Sequence, residues 1–402
     1  MWNAVFDNAM PDFWPPRPSR FWARALAPFR HWYLHRYYQI SDVVVEGADD
    51  FGKRFGPADG VMIAPNHSHD SDPHVMMEVG RRLGRRFYFM AAWQIFRTHH
   101  GIDGWVLQRM GAFSVDREGC DRRAIRQATD LLTTGNSLVV FPEGEIYHLN
   151  DRLTPLLEGV AFMALTAQKS LDKAGSGGRI WIVPTAIRYQ YVEDIVPRLE
   201  AAMSRLEQRM LLQPIAGSPL NERIVRFGEL LLTIKEKEKL GCSREAEGDL
   251  PARLAYFVRT LLERLELEHL KKSPSANTVP LQVKALRRHL LNVWAQEDGD
   301  AEQRNRARRA LDDIQLVLQL YSHPGDYIAE KPSVERMAET IEKFEEDIDG
   351  FGRPKGKRRA RVVLGGPIDL QAAMDEGKVR QAAADVTNHL ENAIQKLMNS
   401  AP

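Results

Sequence analysis

Short apolar runs alternate with amphipathic stretches in residues 41–195. Runs such as "DVVVEG", "VMIAPN" and "RIWIVPTAI" are rich in Val and Ile and bounded by Gly, Pro or Asn, which is typical of strands. Between the runs, stretches such as "PLLEGVAFMALTAQK" place apolar residues at helical spacing. This alternation predicts an α/β core, in which a mixed sheet is flanked by helices.

The pattern changes after residue 195. "LPARLAYFVRTLLERLELEHLKK" and several later stretches have helical periodicity, and no further strand pattern occurs before "RARVVLGGPIDL". We therefore expect residues 196–355 to form a large α-helical insertion. Residues 356–402 are expected to return to the α/β core as its closing strand and final helix.

The first 40 residues have a different composition. Between Phe13 and Ser41 there is no acidic residue, and arginines alternate with tryptophan, phenylalanine and tyrosine. Aromatic side chains favour the headgroup layer of a bilayer, and arginine is attracted to anionic lipid. Residues 1–40 are therefore predicted to lie in a membrane interface. The alternative is an N-terminal arm that packs on the protein's own core.

Composition narrows the class of protein. Of 402 residues, 44% are hydrophobic and 27% charged, which is typical of a globular chain, and the net charge of +1 gives no general attraction to nucleic acid. The two cysteines, Cys120 and Cys242, suit neither a disulfide framework nor a zinc ribbon, so we expect a reducing compartment. No apolar run reaches the roughly 18 to 20 residues of a membrane-spanning helix, and no signal-peptide core is present. We expect a peripheral protein on the cytoplasmic side of a membrane.

The stretch "NHSHDSDP", residues 66–73, concentrates polar chemistry between a strand and a helix. His67 follows the apolar run "VMIAP", and Asp72 precedes Pro73, a residue favoured at the start of a helix. On a continuous helix the two side chains would point about 140° apart, so only a turn between them would let them meet. Asp72 could then orient His67 as a general base. Alternatively, Asp72 only caps the helix, and the two roles are compatible.

A metal site is a rival interpretation of the same stretch. His67 and His69 fit the first two positions of a His-x-His-x-Asp-His run, but Ser71 and Asp72 stand where Asp and His would be needed. Later strand ends supply Arg117, Glu143 and Pro184 instead of further ligands. We therefore expect no metal, and we keep a metal-dependent hydrolase using His67 and His69 as an alternative.

The chain resembles the glycerolipid acyltransferases in four blocks that occur in the expected order. "NHSHDSDP" contains an Asn-His followed, after four residues, by Asp; "GAFSVDR" ends in Arg117; "FPEG" spans 141–144; and "IVPTAI" spans 182–187. "RVVLGGPIDL" is similar to the strand that commonly closes the family's domain. The resemblance implies that residues 41–195 and 356–402 form a glycerolipid acyltransferase-like core.

The resemblance also implies a reaction. In this family a histidine deprotonates a hydroxyl, which attacks the thioester of acyl-CoA or acyl-carrier protein without an acyl-enzyme intermediate. His67 would be the base and Asp72 its partner, with no cofactor. The substrate-binding residues implied are Arg117, Glu143, Gly144 and Pro184. The acceptor would be a lysophospholipid or a glycerol-phosphate, in phospholipid synthesis or remodelling.

This chain departs from the family pattern after "FPEG". The family usually continues with Thr-Arg and a serine, whereas residues 145–148 are Glu, Ile, Tyr and His. The second phosphate-binding arginine is therefore absent from its usual place, which favours an acceptor without a free phosphomonoester. A further alternative is a non-catalytic lipid-binding protein that keeps the fold.

Overall fold

A computed structural model describes residues 12–48, 51–119, 121–213, 215, 217–242, 248–271, 278–294, 300–323, 325–371 and 379–400. Cys120 and the first eleven residues of the predicted interface segment lie outside this part of the chain. The chain divides into two compact units. One contains Pro11–Glu193 and Gly356–Pro402, and the other contains Asp194–Lys355.

The first unit is built on a mixed sheet of eight strands, which confirms the predicted fold class. The strands are β1 (Ile40–Glu46), β2 (Gly60–Pro65), β3 (Phe87–Ala92), β4 (Ala112–Val115), β5 (Ser137–Val139), β6 (Ile180–Tyr191), β7 (Arg358–Leu364) and β8 (Ile368–Asp369). Their order is β1-β7-β6-β2-β5-β3-β4, and β8 pairs with β6. Among the described residues, β6 pairs antiparallel with β7 and β8, and the other strand pairings are parallel.

Two short helices precede β1, and four longer helices lie between later strands of this unit. They are α1 (Arg20–Ala25), α2 (Ala27–Trp32), α3 (Asp72–Arg82), α4 (Ile102–Met110), α5 (Arg122–Thr133) and α6 (Gly159–Ala174). A π-helical turn at Tyr33–Tyr37 leads into β1, and 3₁₀ turns occupy Phe51–Lys53 and Trp93–Gly101. Parallel neighbours need such crossovers because a two-residue hairpin can join only antiparallel strands.

In the described residues of the second unit, all regular secondary structure is helical. Its helices are α7 (Val196–Arg209), α8 (Leu220–Leu240), α9 (Leu250–Leu265), α10 (Val279–Trp294), α11 (Ala301–Ser322), α12 (Tyr327–Glu330) and α13 (Val334–Asp349), with a π-helical turn at Glu266–Leu270 after α9. The apolar faces of α8 to α11 share one core, in which Phe257, Leu261, Leu286 and Val317 are fully buried. After this unit the chain forms β7, β8 and the final helix α14 (Val379–Asn399).

Strand β2 lies at the centre of the first unit and is buried on both faces. Val61 and Ile63 pack into the cluster that also contains the apolar side chains of α3. Met62 and Ala64 pack into the opposite cluster, with α5, α6 and α14. Because successive side chains of a strand point to opposite faces, a continuous apolar run such as "VMIAP" suits a strand covered on both sides.

The N-terminal arm covers the outer edge of the sheet. Trp14 donates its amide to Ser114 Oγ at 2.8 Å, and the Ser114 amide donates to the Trp14 carbonyl at 3.0 Å. The second bond satisfies a backbone amide of the edge strand β4 that would otherwise be open to another chain. Within the described part of the chain, no helix has both the length and the apolar composition needed to cross a bilayer.

Candidate active site

The loop between β2 and α3 brings His67 and Asp72 together. β2 ends at Pro65 and α3 begins at Asp72, so the chain turns between the two residues. His67 Nδ1 lies 2.9 Å from Asp72 Oδ2. The histidine side chain is 13% exposed, whereas the aspartate side chain is fully buried. The turn that the spacing required is therefore present.

The Asp72 carboxylate does not cap α3. Ser71 is the residue before the helix, and no side chain makes a cap hydrogen bond there. Instead, Asp72 accepts from the His69 amide at 2.9 Å, from His67 Nδ1 and from the Tyr189 hydroxyl. The capping alternative is therefore wrong in this structure, and the carboxylate is directed at the loop.

The hydrogen bond to Asp72 decides which nitrogen of His67 is available for chemistry. An ionised carboxylate can only accept, so Nδ1 carries the proton and Nε2 keeps its lone pair. None of the described residues forms a hydrogen bond with Nε2. The imidazole also stacks on the ring of Phe141, with centroids 4.0 Å apart and planes 19° apart. The ring is thus held on one face and at one nitrogen, as a general base requires.

Glu143 fixes the backbone of the histidine loop. Its Oε1 accepts from the His67 amide at 2.6 Å, and its Oε2 accepts from the Thr154 amide at 3.1 Å and from the Thr154 hydroxyl. Burial raises the pKa of the Glu143 carboxyl to about 7, although the donors of Thr154 and His67 act to lower it. Glu143 therefore braces the histidine loop, and its implied role in substrate binding stays a prediction.

Gly144 occupies a backbone conformation that favours glycine. Its φ is +77°, and a Cβ atom there would lie 2.6 Å from Leu157 Cδ1. The tight turn presents the Gly144 carbonyl to Arg117, whose Nη1 donates to it at 2.8 Å. A hydrogen bond therefore links the second sequence block, which ends in Arg117, to the third, which ends in Gly144.

Arg117 does not stand alone as a phosphate ligand. The same Nη1 atom lies 3.1 Å from Glu145 Oε2, and the two side chains are 30% and 25% exposed. Glu145 is one of the residues that depart from the family pattern. The positive charge expected at the acceptor's phosphate is thus balanced by a carboxylate of the protein.

Comparison with known families identifies the first unit. Residues 42–188, which include His67, Asp72, Arg117 and Glu143 but not Tyr189, match the family model described as Acyltransferase. This segment is an acyltransferase domain. The match confirms the glycerolipid acyltransferase family suggested by the sequence blocks. A comparison of the chain with curated proteins gives no match.

Pro184 of the acyltransferase domain lies within the sheet. It occupies β6 opposite Ala64 of β2, is buried, and its carbonyl accepts from the Gly365 amide at 2.8 Å. The Val-Pro block therefore positions a central strand next to the histidine loop. Its implied role in substrate binding stays a prediction.

Two asparagines that the sequence reasoning missed extend the sheet beyond the end of β2. Asn66 bonds both backbone groups of Ile187, at 3.0 and 2.7 Å, and Asn150 bonds both backbone groups of Tyr189, at 2.8 and 2.7 Å. Buried backbone groups must be paired, and these side-chain amides replace the missing strand. The sequence contained a signal for Asn66, because this residue directly precedes His67 in the first block.

His69 is held as a neutral side chain. Its Nδ1 accepts from the Ser71 amide at 3.0 Å, and its Nε2 lies 3.1 Å from a guanidinium nitrogen of Arg358. In the neutral ring Nδ1 accepts from the Ser71 amide and the proton is on Nε2, whereas an imidazolium would also turn an N–H group toward that amide. Burial, followed by the charges of Arg358 and His148, lowers the pKa of His69 well below its usual value. In the described residues, no three His, Cys, Asp or Glu side chains are placed to hold a metal ion.

Proposed function

We propose that the acyltransferase domain transfers an acyl group from a thioester, acyl-CoA or acyl-carrier protein, to a hydroxyl of a lipid acceptor. The observation that carries this proposal is the His67–Asp72 hydrogen bond of 2.9 Å, which leaves Nε2 of a neutral imidazole as the available base. The acceptor is a lysophospholipid or a glycerol-phosphate, and the product belongs to phospholipid synthesis or remodelling.

His67 performs both proton transfers in this mechanism. Its Nε2 removes the proton of the acceptor hydroxyl as the oxygen attacks the thioester carbonyl. Asp72 stabilises the imidazolium that forms, because its carboxylate already accepts from Nδ1. When the tetrahedral intermediate collapses, the C–S bond breaks and the sulfur takes the proton from Nε2 as the thiol leaves. The thioester supplies the activation, so the reaction needs no cofactor.

The Arg117–Glu145 pair supports an acceptor without a free phosphomonoester. A phosphomonoester carries nearly two negative charges and would meet the Glu145 carboxylate beside Arg117. A lysophospholipid phosphodiester carries one negative charge, and an amine in its headgroup would be attracted to Glu145. Within the acceptors considered, we therefore favour a lysophospholipid over glycerol-3-phosphate.

Exposed aromatic and basic residues support peripheral contact with a membrane. In α1, α2 and the following π-helical turn, Phe21, Phe29, Trp32 and Tyr37 are 70%, 60%, 54% and 53% exposed. Trp22 packs edge-on against Trp105 of α4 at 4.9 Å between centroids, and this helix also exposes Ile102. We name Phe21, Phe29, Trp32, Tyr37, Ile102 and Trp105 the aromatic face. Exposed Arg20, Arg24 and Arg36 suit it to anionic lipid.

The two rival functions make different demands on the same residues. A dinuclear or mononuclear hydrolase needs His67 and His69 as metal ligands, but His67 Nδ1 faces Asp72 and both nitrogens of His69 face protein donors. This donor arrangement favours acyl transfer, and activity that survives a chelator would separate the two enzymes. A non-catalytic lipid-binding protein would instead function without His67.

The experiment is release of free thiol from a long-chain acyl-CoA by the full-length protein with a panel of acceptors. Wild type is compared with His67→Ala and with His389→Ala, which changes an exposed histidine of α14. We expect acceptor-dependent release, lost by at least a hundredfold in His67→Ala and unchanged in the control. Lysophospholipids should be better acceptors than glycerol-3-phosphate, and Glu145→Ala should reduce that difference.

Acylated carrier protein serves as the second donor in the same assay. Release from neither donor would reject acyl transfer and leave lipid binding as the function. Equal rates for wild type and His67→Ala would reject His67 as the base.

A further inference from the structure

The second oxygen of the Asp72 carboxylate is held by a residue outside the matched sequence blocks. Oδ2 accepts from His67, while Oδ1 accepts from the hydroxyl of Tyr189 on β6. The same hydroxyl lies 2.9 Å from Ser71 Oγ. Tyr189 is 3% exposed and Asp72 fully buried, so these protein groups replace water around the carboxylate.

The direction of each hydrogen bond follows from the groups themselves. An ionised carboxylate only accepts, so the single proton of the Tyr189 hydroxyl is donated to Asp72. The Tyr189 oxygen is then an acceptor, and Ser71 Oγ donates to it. Asp72 therefore receives one donor at each oxygen from side chains, and the Tyr189 bond opposes rotation of the carboxylate away from His67.

The surroundings keep Tyr189 in its donor form. Burial, followed by the charge of Asp72, raises the pKa of Tyr189 well above its usual value. The other titratable groups facing the ring are His69, with centroids 5.4 Å apart, and Arg358, whose guanidinium lies 5.5 Å from the ring centroid. Asn150 forms hydrogen bonds with the amide and the carbonyl of Tyr189, which fixes the backbone from which the tyrosine side chain extends.

We propose that Tyr189 is a positioning residue for acyl transfer, which orients Asp72 and sets how strongly that carboxylate favours the protonated imidazole of His67. This inference rests on the proposed function for its kinetic consequence. Its structural consequence, the effect of the Tyr189 hydroxyl on the titration of His67, does not require a substrate.

Tyr189→Phe tests the proposal because it removes only the hydroxyl. Without its donor, the charge of Asp72 is less compensated and favours the imidazolium of His67 more strongly. We expect kcat to fall about tenfold, since hydrogen bonds to charged groups are among the stronger ones, with KM for the acyl donor unchanged. The acidic limb of the kcat/KM profile should move to higher pH, because His67 must be neutral to act as base.

Tyr191→Phe is the matched control. Tyr191 lies two residues further along β6, and the guanidinium of Arg358 is also near its ring, at 5.9 Å from the centroid. Both variants remove one phenolic oxygen from the same strand. Tyr191→Phe should keep the wild-type kcat and pH profile.

The titration of His67 is followed directly by NMR of ¹⁵N-histidine-labelled protein, with the His67 signals assigned from their absence in His67→Ala. The midpoint should move to higher pH in Tyr189→Phe and stay in place in Tyr191→Phe. An unchanged midpoint in Tyr189→Phe would overturn the proposal, even if kcat falls. The fall in kcat would then come from altered packing around the site. If wild type transfers no acyl group but the midpoint moves, the positioning role stands and the proposed function fails.

Discussion

At the scale of single residues, the chain holds two carboxyl groups in contact with His67, and their environments differ. Asp72 accepts at the imidazole, and Glu143 accepts at the backbone amide of the same residue. The hydrogen bonds to Glu143 offset only part of the cost of burying its negative charge. Its carboxyl therefore keeps a proton up to about pH 7. The Thr154 hydroxyl can both donate and accept, and so it can bond either form of Glu143.

Glu143 makes the stability of the protein depend on pH. The pKa of its carboxyl is about 7 in the folded protein against 4.5 in an unfolded chain, so between these values the folded state binds more protons than the unfolded one. The contribution of Glu143 to the free energy of unfolding is complete below about pH 4.5 and is lost as the pH rises through 7. The total loss is on the order of 3 kcal/mol.

Glu143→Gln removes this titration while keeping an acceptor for the His67 amide. Urea unfolding at pH 5 and pH 8 should show wild type losing stability relative to Glu143→Gln as the pH rises. Parallel pH dependence of the two proteins would contradict a protonated Glu143.

At the scale of elements, the ion pairs of the helical unit differ in what they contribute to stability. Arg253 of α9 donates to Glu236 of α8 at 2.7 and 3.2 Å and to Thr233 at 2.9 Å. The two charged side chains are 5% and 0% exposed. Lys235 and Glu238 on α8 form an exposed pair at 3.1 Å. Only the buried pair leaves an uncompensated charge inside the protein when one partner is removed.

Glu236→Ala should therefore destabilise the helical unit by about 3 to 5 kcal/mol, because the buried guanidinium of Arg253 loses its partner. Glu238→Ala on the same helix should change stability by less than about 0.5 kcal/mol. Chemical denaturation followed by circular dichroism measures both. Similar losses in the two variants would show that burial does not govern these pairs.

The elements themselves were largely predictable. Strand and helix patterns are local, because they depend on side-chain period and on turn residues within each segment. The strand order was not, since β1 pairs with β7 from the other end of the chain and β6 lies between β7 and β2. The asparagine bonds that prolong the ladder beyond Pro65 also escaped prediction, because any polar loop residue could have occupied those positions.

At the scale of the molecule, the aromatic face gives the proposed membrane contact a measurable consequence. Exchanging Phe29 and Trp32 for serine removes two side chains that are 60% and 54% exposed, so the fold should be preserved. We expect binding to vesicles containing anionic lipid to fall severalfold, because apolar insertion and electrostatic attraction act together. Co-sedimentation with vesicles of phosphatidylglycerol and phosphatidylcholine, at low and high salt, measures this loss.

Phe351→Ser is the control for that experiment, since Phe351 is 50% exposed but lies in the helical unit. Wild-type binding by the Phe29/Trp32 variant would reject the aromatic face as the membrane contact. Thiol release with a water-soluble acceptor should be unchanged in both proteins, because neither change touches the His67 loop.

Local patterns and short blocks in a fixed order were sufficient to predict the fold class, the acyltransferase family and a candidate base with its partner. The bonds that define the site join residues far apart in the chain: His67 and Glu143 are separated by 76 positions, and Asp72 and Tyr189 by 117. Whether such groups meet depends on which strands become neighbours and how loops pack upon them. The pairing of Glu145 with Arg117 and of Tyr189 with Asp72 therefore became visible in the folded chain alone.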